Sequence, residues 1–180
     1  QIEIVNNFLE NPQSLQEIAT GAGKTLMTAA LSNSVEKYGR SIVIVPNKSL
    51  VTQTEADYIN LGLDVGVYYG DRKEFAKTHT ICTWQSLNIL LKNTKNGTAE
   101  ATIGDFLEDV VCVIVDEVHQ AKADVLKNLL TGPFANVPLR WGLTGTIPKA
   151  EHEKVGIKVS LGNIVGELSA AKLQEEGNTK

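Results

Sequence analysis

Two short segments of this chain have residue types and spacing that can do chemistry: Ile18-Ala19-Thr20-Gly21-Ala22-Gly23-Lys24-Thr25 and, much further on, Asp116-Glu117-Val118-His119. A glycine-bearing turn that ends in Gly-Lys-Thr and opens a helix aims successive backbone N–H groups at a phosphate. Thr20, Gly21, Ala22 and Gly23 would line that turn, Lys24 would reach the outer phosphates, and the Thr25 hydroxyl would face Mg²⁺. The strict form of the pattern has glycine at position 18, where this chain has Ile18. Asp116 and Glu117 close an apolar run, and adjacent carboxylates at the end of a buried strand repel each other unless a cation offsets them. Taken singly these acids could also be solvated strand ends. In order behind Gly23-Lys24-Thr25 they point to ATP and Mg²⁺, with Thr25 and Asp116 on the metal and Glu117 polarising water for in-line displacement.

Such a site needs a strand ending at each segment. Ser14 to Ile18 and Val110 to Val115 read as those strands, and the second is apolar on both faces, as a central parallel strand covered from two sides must be. Between and after them the pattern alternates. Helices are expected at Lys24 to Lys37, Lys48 to Leu61, Gln85 to Lys92, Lys122 to Leu130 and Ser169 to Glu176. Strands are expected at Ser41 to Val45, Asp64 to Tyr69, Thr78 to Thr83 and Leu139 to Leu143. Lys92 to Gly104, polar and weakly patterned, reads as a surface excursion. The expected class is α/β: an open, mostly parallel sheet with helices on both faces and ligands at the carboxyl ends of the strands.

At 180 residues and 42% hydrophobic, the sequence has the size and composition of one domain with a sizeable core. It contains no apolar run of the roughly 20 residues that span a bilayer, so no membrane role is expected, and the reading is a soluble, intracellular, cytoplasmic protein. A net charge of -4 leaves only local basic features for nucleic acid. Cys82 and Cys112, each inside a strand-like run, read as buried thiols.

Asp116-Glu117-Val118-His119 resembles the Asp-Glu-x-His signature of superfamily 2 helicases and translocases, the DEAD/DEAH-like group. Val43 to Gln53 is similar to their Ia motif, Thr83-Trp84-Gln85-Ser86-Leu87 to the Ic region, and Gly142-Leu143-Thr144-Gly145-Thr146 to motif III. The Thr-Trp-Gln segment and Lys172-Leu173-Gln174-Glu175-Glu176-Gly177 are most similar to a subgroup of phage branched-DNA helicases.

The resemblance implies a P-loop, RecA-like first motor domain over residues 1 to 165. A helix and the start of a linker would follow over 166 to 180, towards a second RecA-like domain that this sequence does not contain. It implies that Lys24, Asp116, Glu117 and His119 are catalytic and that Gln1 reads adenine. Pro46, Asn47, Lys48, Thr83, Trp84 and Gln85 would line the path of one nucleic-acid strand. Thr144, Gly145 and Thr146 would couple the two sites. By itself, a tryptophan opening a helix packs into a core, and an isolated lysine is a solvated charge.

The implied activity is an ATP-dependent DNA helicase or translocase, monomeric and without sequence specificity, acting on forked or branched DNA. Two alternatives stay open: the motor of a restriction-type double-stranded DNA translocase, and a non-catalytic, ATP-switched nucleic-acid-binding module. The arginines that complete the site in such motors would come from the second domain, and a fragment lacking them is expected to turn ATP over poorly.

Overall fold

The computed structural model describes residues 8–10, 13–17, 24–74, 77–98, 102–117, 123–144 and 163–164. Eight strands form one sheet: β1 (Gln13–Glu17), β2 (Arg40–Val45), β3 (Val65–Tyr69), β4 (Arg72–Lys73), β5 (His79–Thr83), β6 (Val110–Val115), β7 (Leu139–Thr144) and β8 (Asn163–Ile164). Their order is β4-β3-β5-β2-β6-β7-β1-β8. Every neighbouring pair is parallel except β3 and β4. The helices are α1 (Lys24–Val35), α2 (Lys48–Asn60), α3 (Trp84–Asn96), α4 (Ile103–Phe106) and α5 (Ala123–Thr131).

The central strands show how one sequence builds two cores. Side chains alternate faces along a strand. On one face Ile42, Ile44, Val113 and Val115 pack with Trp84, Leu87 and Leu90 of α3, Ile103 and Phe106 of α4, and Leu129 and Leu130 of α5. On the other, Val43, Val45, Cys112 and Ile114 pack with Met27, Ala29, Leu31 and Val35 of α1 and with Val51 and Tyr58 of α2. Each fully buried aliphatic side chain contributes about 1.5–3 kcal/mol, so the continuous apolar runs of β2 and β6 are what both helical layers require. Cys82 and Cys112 are reduced and buried, and burial pushes both thiols well above their ordinary range.

Three features depart from the sequence expectations. The segment after Lys92 is not a plain excursion: α3 continues to Asn96 and stops at Gly97 in the left-handed conformation, φ +74°. Its polar residues there fall outside the packed side of an amphipathic helix. Thr94 then accepts from Ile103 N at 2.9 Å while donating to Leu90 O at 2.8 Å, which ties α4, with its Thr102/Asp105 capping box, to α3. Second, the chain after β3 reverses through a two-residue turn with Gly70 first, φ +52°, where a II′-type hairpin asks for glycine, and so adds the antiparallel edge strand β4. Third, β8 adds a short strand beyond β1. The helix expected over Ser169 to Glu176 lies outside the described residues.

Among the described residues, no helix is long and apolar enough to cross a membrane.

Candidate functional site

Parallel pairing puts the carboxyl ends of β5, β2, β6, β7 and β1 on one edge, and the motif residues described fall there. Asp116 extends the ladder beyond β6, its N–H donating to Ile44 O at 2.8 Å. The Asp116 and Glu117 residues are 2% and 7% exposed. Glu117 adopts φ +53°, a left-handed conformation that costs a residue with a Cβ about 1–2 kcal/mol. The chain therefore turns sharply immediately after the strand and keeps both acids at its end.

β7 separates β6 from β1, whose last residue, Glu17, pairs with Thr144. Lys24 is the first residue of α1. Thr25, 4% exposed, donates its hydroxyl to Oδ2 of Asp57 in α2. No motif marks Asp57, and sequence reasoning missed it; only the packing of α2 against α1 brings it to Thr25.

A hydroxyl and carboxylates are hard oxygen donors, the chemistry that suits Mg²⁺. Among the described residues, no three His, Cys, Asp or Glu side chains gather closely enough to cage a metal. An ion at this edge would take most of its shell from water and phosphate oxygens, as Mg²⁺ does when it bridges a protein and a nucleotide. Gln1, Thr20, Gly21, Ala22, Gly23, His119, Gly145 and Thr146 lie outside the described residues. The Lys24 and Thr144 backbones are placed as above.

The second group lies farther along the same edge, at the ends of β2 and β5. Val45 pairs with Thr83 in register, so the turns that follow β2 and β5 are neighbours. Asn47 caps α2, its Oδ1 accepting from Leu50 N at 2.9 Å. Thr83 caps α3, its Oγ1 accepting from Ser86 N at 3.3 Å and lying 2.9 Å from Ser86 Oγ. Two helix N-termini thus stand side by side, each presenting N–H groups without helical acceptors and the positive end of its dipole. Lys48 and Gln85 are exposed next to them and Pro46 is half-buried.

Trp84 corrects one expectation. Its ring is 6% exposed inside the core formed with Leu87 and Phe106, and its Nε1 has no hydrogen-bond partner among the described residues. It cannot stack on a base from there. The large apolar surface of an indole is buried when a core lies beneath the first turn of its helix.

Behind this edge a buried polar chain braces α1, α2, β2 and β5. Tyr58 Oη lies 2.5 Å from Ser32 Oγ and 3.3 Å from Thr28 O, and Ser32 Oγ lies 3.2 Å from Ser41 Oγ. Ser41 Oγ is 2.6 Å from His79 Nδ1, and His79 Nε2 is 2.9 Å from Glu36 Oε2. Burial is the largest influence on His79 and holds its pKa below the ordinary value against the opposing pull of Glu36. Burial pushes the Tyr58 hydroxyl up, so it stays protonated.

An open, mostly parallel sheet with β7 between β1 and β6 and helices on both faces is a RecA-like fold. The chain belongs to the ResIII family, described as Type III restriction enzyme, res subunit, which it matches over residues 1–149. Among curated relatives, the ATP-dependent DNA helicase uvsW of Enterobacteria phage T4 is 23% identical over 188 residues, spanning 98% of this chain but 35% of the relative. The crystal structure of the UvsW helicase from bacteriophage T4 is similar with a TM-score of 0.70 at 17% identity, covering 89% of this chain and 57% of that one. The Pyrococcus furiosus Hef helicase domain has a TM-score of 0.69 at 21% identity, covering 89% and 36%. At these identities the solved structures speak for the fold.

Proposed function

We propose that this chain is the ATP-binding motor domain of a DNA helicase or translocase that moves along one strand of forked or branched DNA. The observation that carries the reading is the burial of a Thr25 hydroxyl and of the Asp116–Glu117 pair at one carboxyl edge, with the paired N-termini of α2 and α3 farther along it. The glycine turn and Lys24 would hold the phosphates, and Thr25 and Asp116 would hold Mg²⁺, Asp116 through water. When bound, Mg²⁺-ATP supplies the phosphoryl group and the charge that neutralises it. Glu117 accepts a hydrogen bond from water and so turns a water lone pair towards that group. Gln1 at the adenine and His119, Thr144, Gly145 and Thr146 between the nucleotide and the strand path complete this reading.

Asn47, Lys48, Thr83 and Gln85 would hold phosphodiester oxygens through main-chain N–H groups, one charge and one amide, contacts that carry no sequence information. Pro46 would shape the turn before them. Nucleic acid without sequence preference, DNA first, is the proposed partner. Turnover at full rate needs the arginines of a second RecA-like domain.

Glu117→Gln in the full-length protein tests the reading. ATP binding is retained and phosphate release falls by about 10²–10⁴-fold; unaltered turnover removes Glu117 from its role. The family's description favours a second reading, a restriction-type motor that moves on duplex DNA without separating it. A strand-separation assay set beside a triplex-displacement assay decides between them.

A further inference from the structure

Three helix hydroxyls outside the core bond back along their own helix. Ser34, Thr94 and Thr131 each donate to the carbonyl four residues back in their own helix, at 2.9, 2.8 and 2.6 Å. Thr25, the second residue of α1, donates outside its helix instead. Buried as it is, its proton needs an acceptor. It finds the carboxylate of Asp57, one helix away and 32 residues on in sequence.

The place of Asp57 is set independently of that bond. The next residue, Tyr58, is fully buried, and its hydroxyl is fastened to Ser32 and to the Thr28 carbonyl of α1. Asp57 is therefore carried to Thr25 on an element already docked against α1.

From this arrangement we infer that Asp57 is a positioning residue for the metal-binding hydroxyl of Thr25. This rests on the nucleotide reading above and adds to it a residue that neither the phosphate turn nor the acidic strand supplies. A hydroxyl has one proton and two lone pairs. With its proton committed to Asp57, Thr25 Oγ1 keeps its lone pairs for a cation, and the charged acceptor makes that oxygen a more basic ligand. Groups that orient and polarise a metal ligand in this way typically matter by about 10–100-fold in metal affinity.

The test is Mg²⁺ titration of the intact chain in the presence of a fluorescent ATP analogue, alongside binding of the same analogue in EDTA. Asp57→Ala raises the Mg²⁺ half-saturation by about 10–100-fold and leaves the metal-free nucleotide affinity unchanged. Asp57→Asn, which keeps an acceptor oxygen but loses the charge, falls between Asp57→Ala and the parent chain, and it serves alone if Asp57→Ala melts before the titration. Equal losses with and without Mg²⁺ mean that Asp57 only holds α2 to α1 and overturn the inference. So does an unchanged half-saturation, and so does a lowered one, which would make Asp57 a competitor for the hydroxyl. A parent chain whose nucleotide binding ignores Mg²⁺ overturns the site reading itself, and the role of Asp57 with it.

Discussion

His79 makes stability depend on pH in a direction that the structure determines. It is completely buried between Ser41 and Glu36, and burial depresses its pKa below the ordinary 6.5. Neutral His79 can donate from Nε2 to Glu36, with Nδ1 2.6 Å from the Ser41 hydroxyl. As pH falls through 6.5, the unfolded chain takes up a proton that the folded chain refuses. The contribution of His79 is therefore fully present above pH 6.5 and shrinks as pH falls towards the folded-state pKa, by at most about 1.4 kcal/mol per pH unit.

Urea unfolding at pH 7.5, 6.5 and 5.5 of the parent chain and of His79→Gln reads this directly, because the difference between the two cancels the other titrating groups. Gln can keep the donor towards Glu36 but loses the ring nitrogen beside Ser41, so at pH 7.5 the variant is less stable by about 1–3 kcal/mol. By pH 5.5 the gap narrows, by no more than about 1.4 kcal/mol. A constant gap would mean that folding leaves the His79 pKa where the unfolded chain has it, against the reasoning. A gap that widens would mean that the ion pair with Glu36 dominates and that the folded protein prefers charged His79, refuting the reasoning.

Three further outcomes are expected. Thr80 is buried in β5 and its hydroxyl has no partner among the described residues, so Thr80→Val, nearly the same shape and at home in a strand, stabilises the chain by about 1 kcal/mol and raises Tm by about 2–4 °C in calorimetry. Glu117→Gly relieves the left-handed backbone and raises unfolding free energy by about 1 kcal/mol, whereas Glu117→Gln keeps the strain and the parent stability. Lys48→Ala weakens single-strand binding and lowers the slope of log affinity against log salt by about 1, while Trp84→Phe leaves both unchanged in fluorescence anisotropy because the ring is inside the core.

Much of the fold was legible because it depends on local chemistry. The all-apolar run Val110 to Val115 announced a strand covered on both faces, and β6 has those bounds. The helix expected from Lys48 begins there, with Asn47 as its cap. The asparagines after Lys92 misled because the same polar residues serve an exposed helix face as well as a loop, and only Leu90 and Ile103 packed beneath them distinguish the two. Trp84 was read both as lining the strand path, by resemblance, and as a core residue, by its type, and which one it is depends on what lies below α3.

The order of residues along the chain determined which groups are available for chemistry, a glycine turn with Lys24 and Thr25 and a strand ending in Asp116 and Glu117, because those motifs are built from neighbours. Tertiary structure alone decided that β7 stands between the two strands, that Trp84 belongs to the core, and that the Thr25 hydroxyl meets Asp57. Those relations join segments distant in sequence, and their register is set by how the two helical layers pack on the sheet, a property no local pattern encodes.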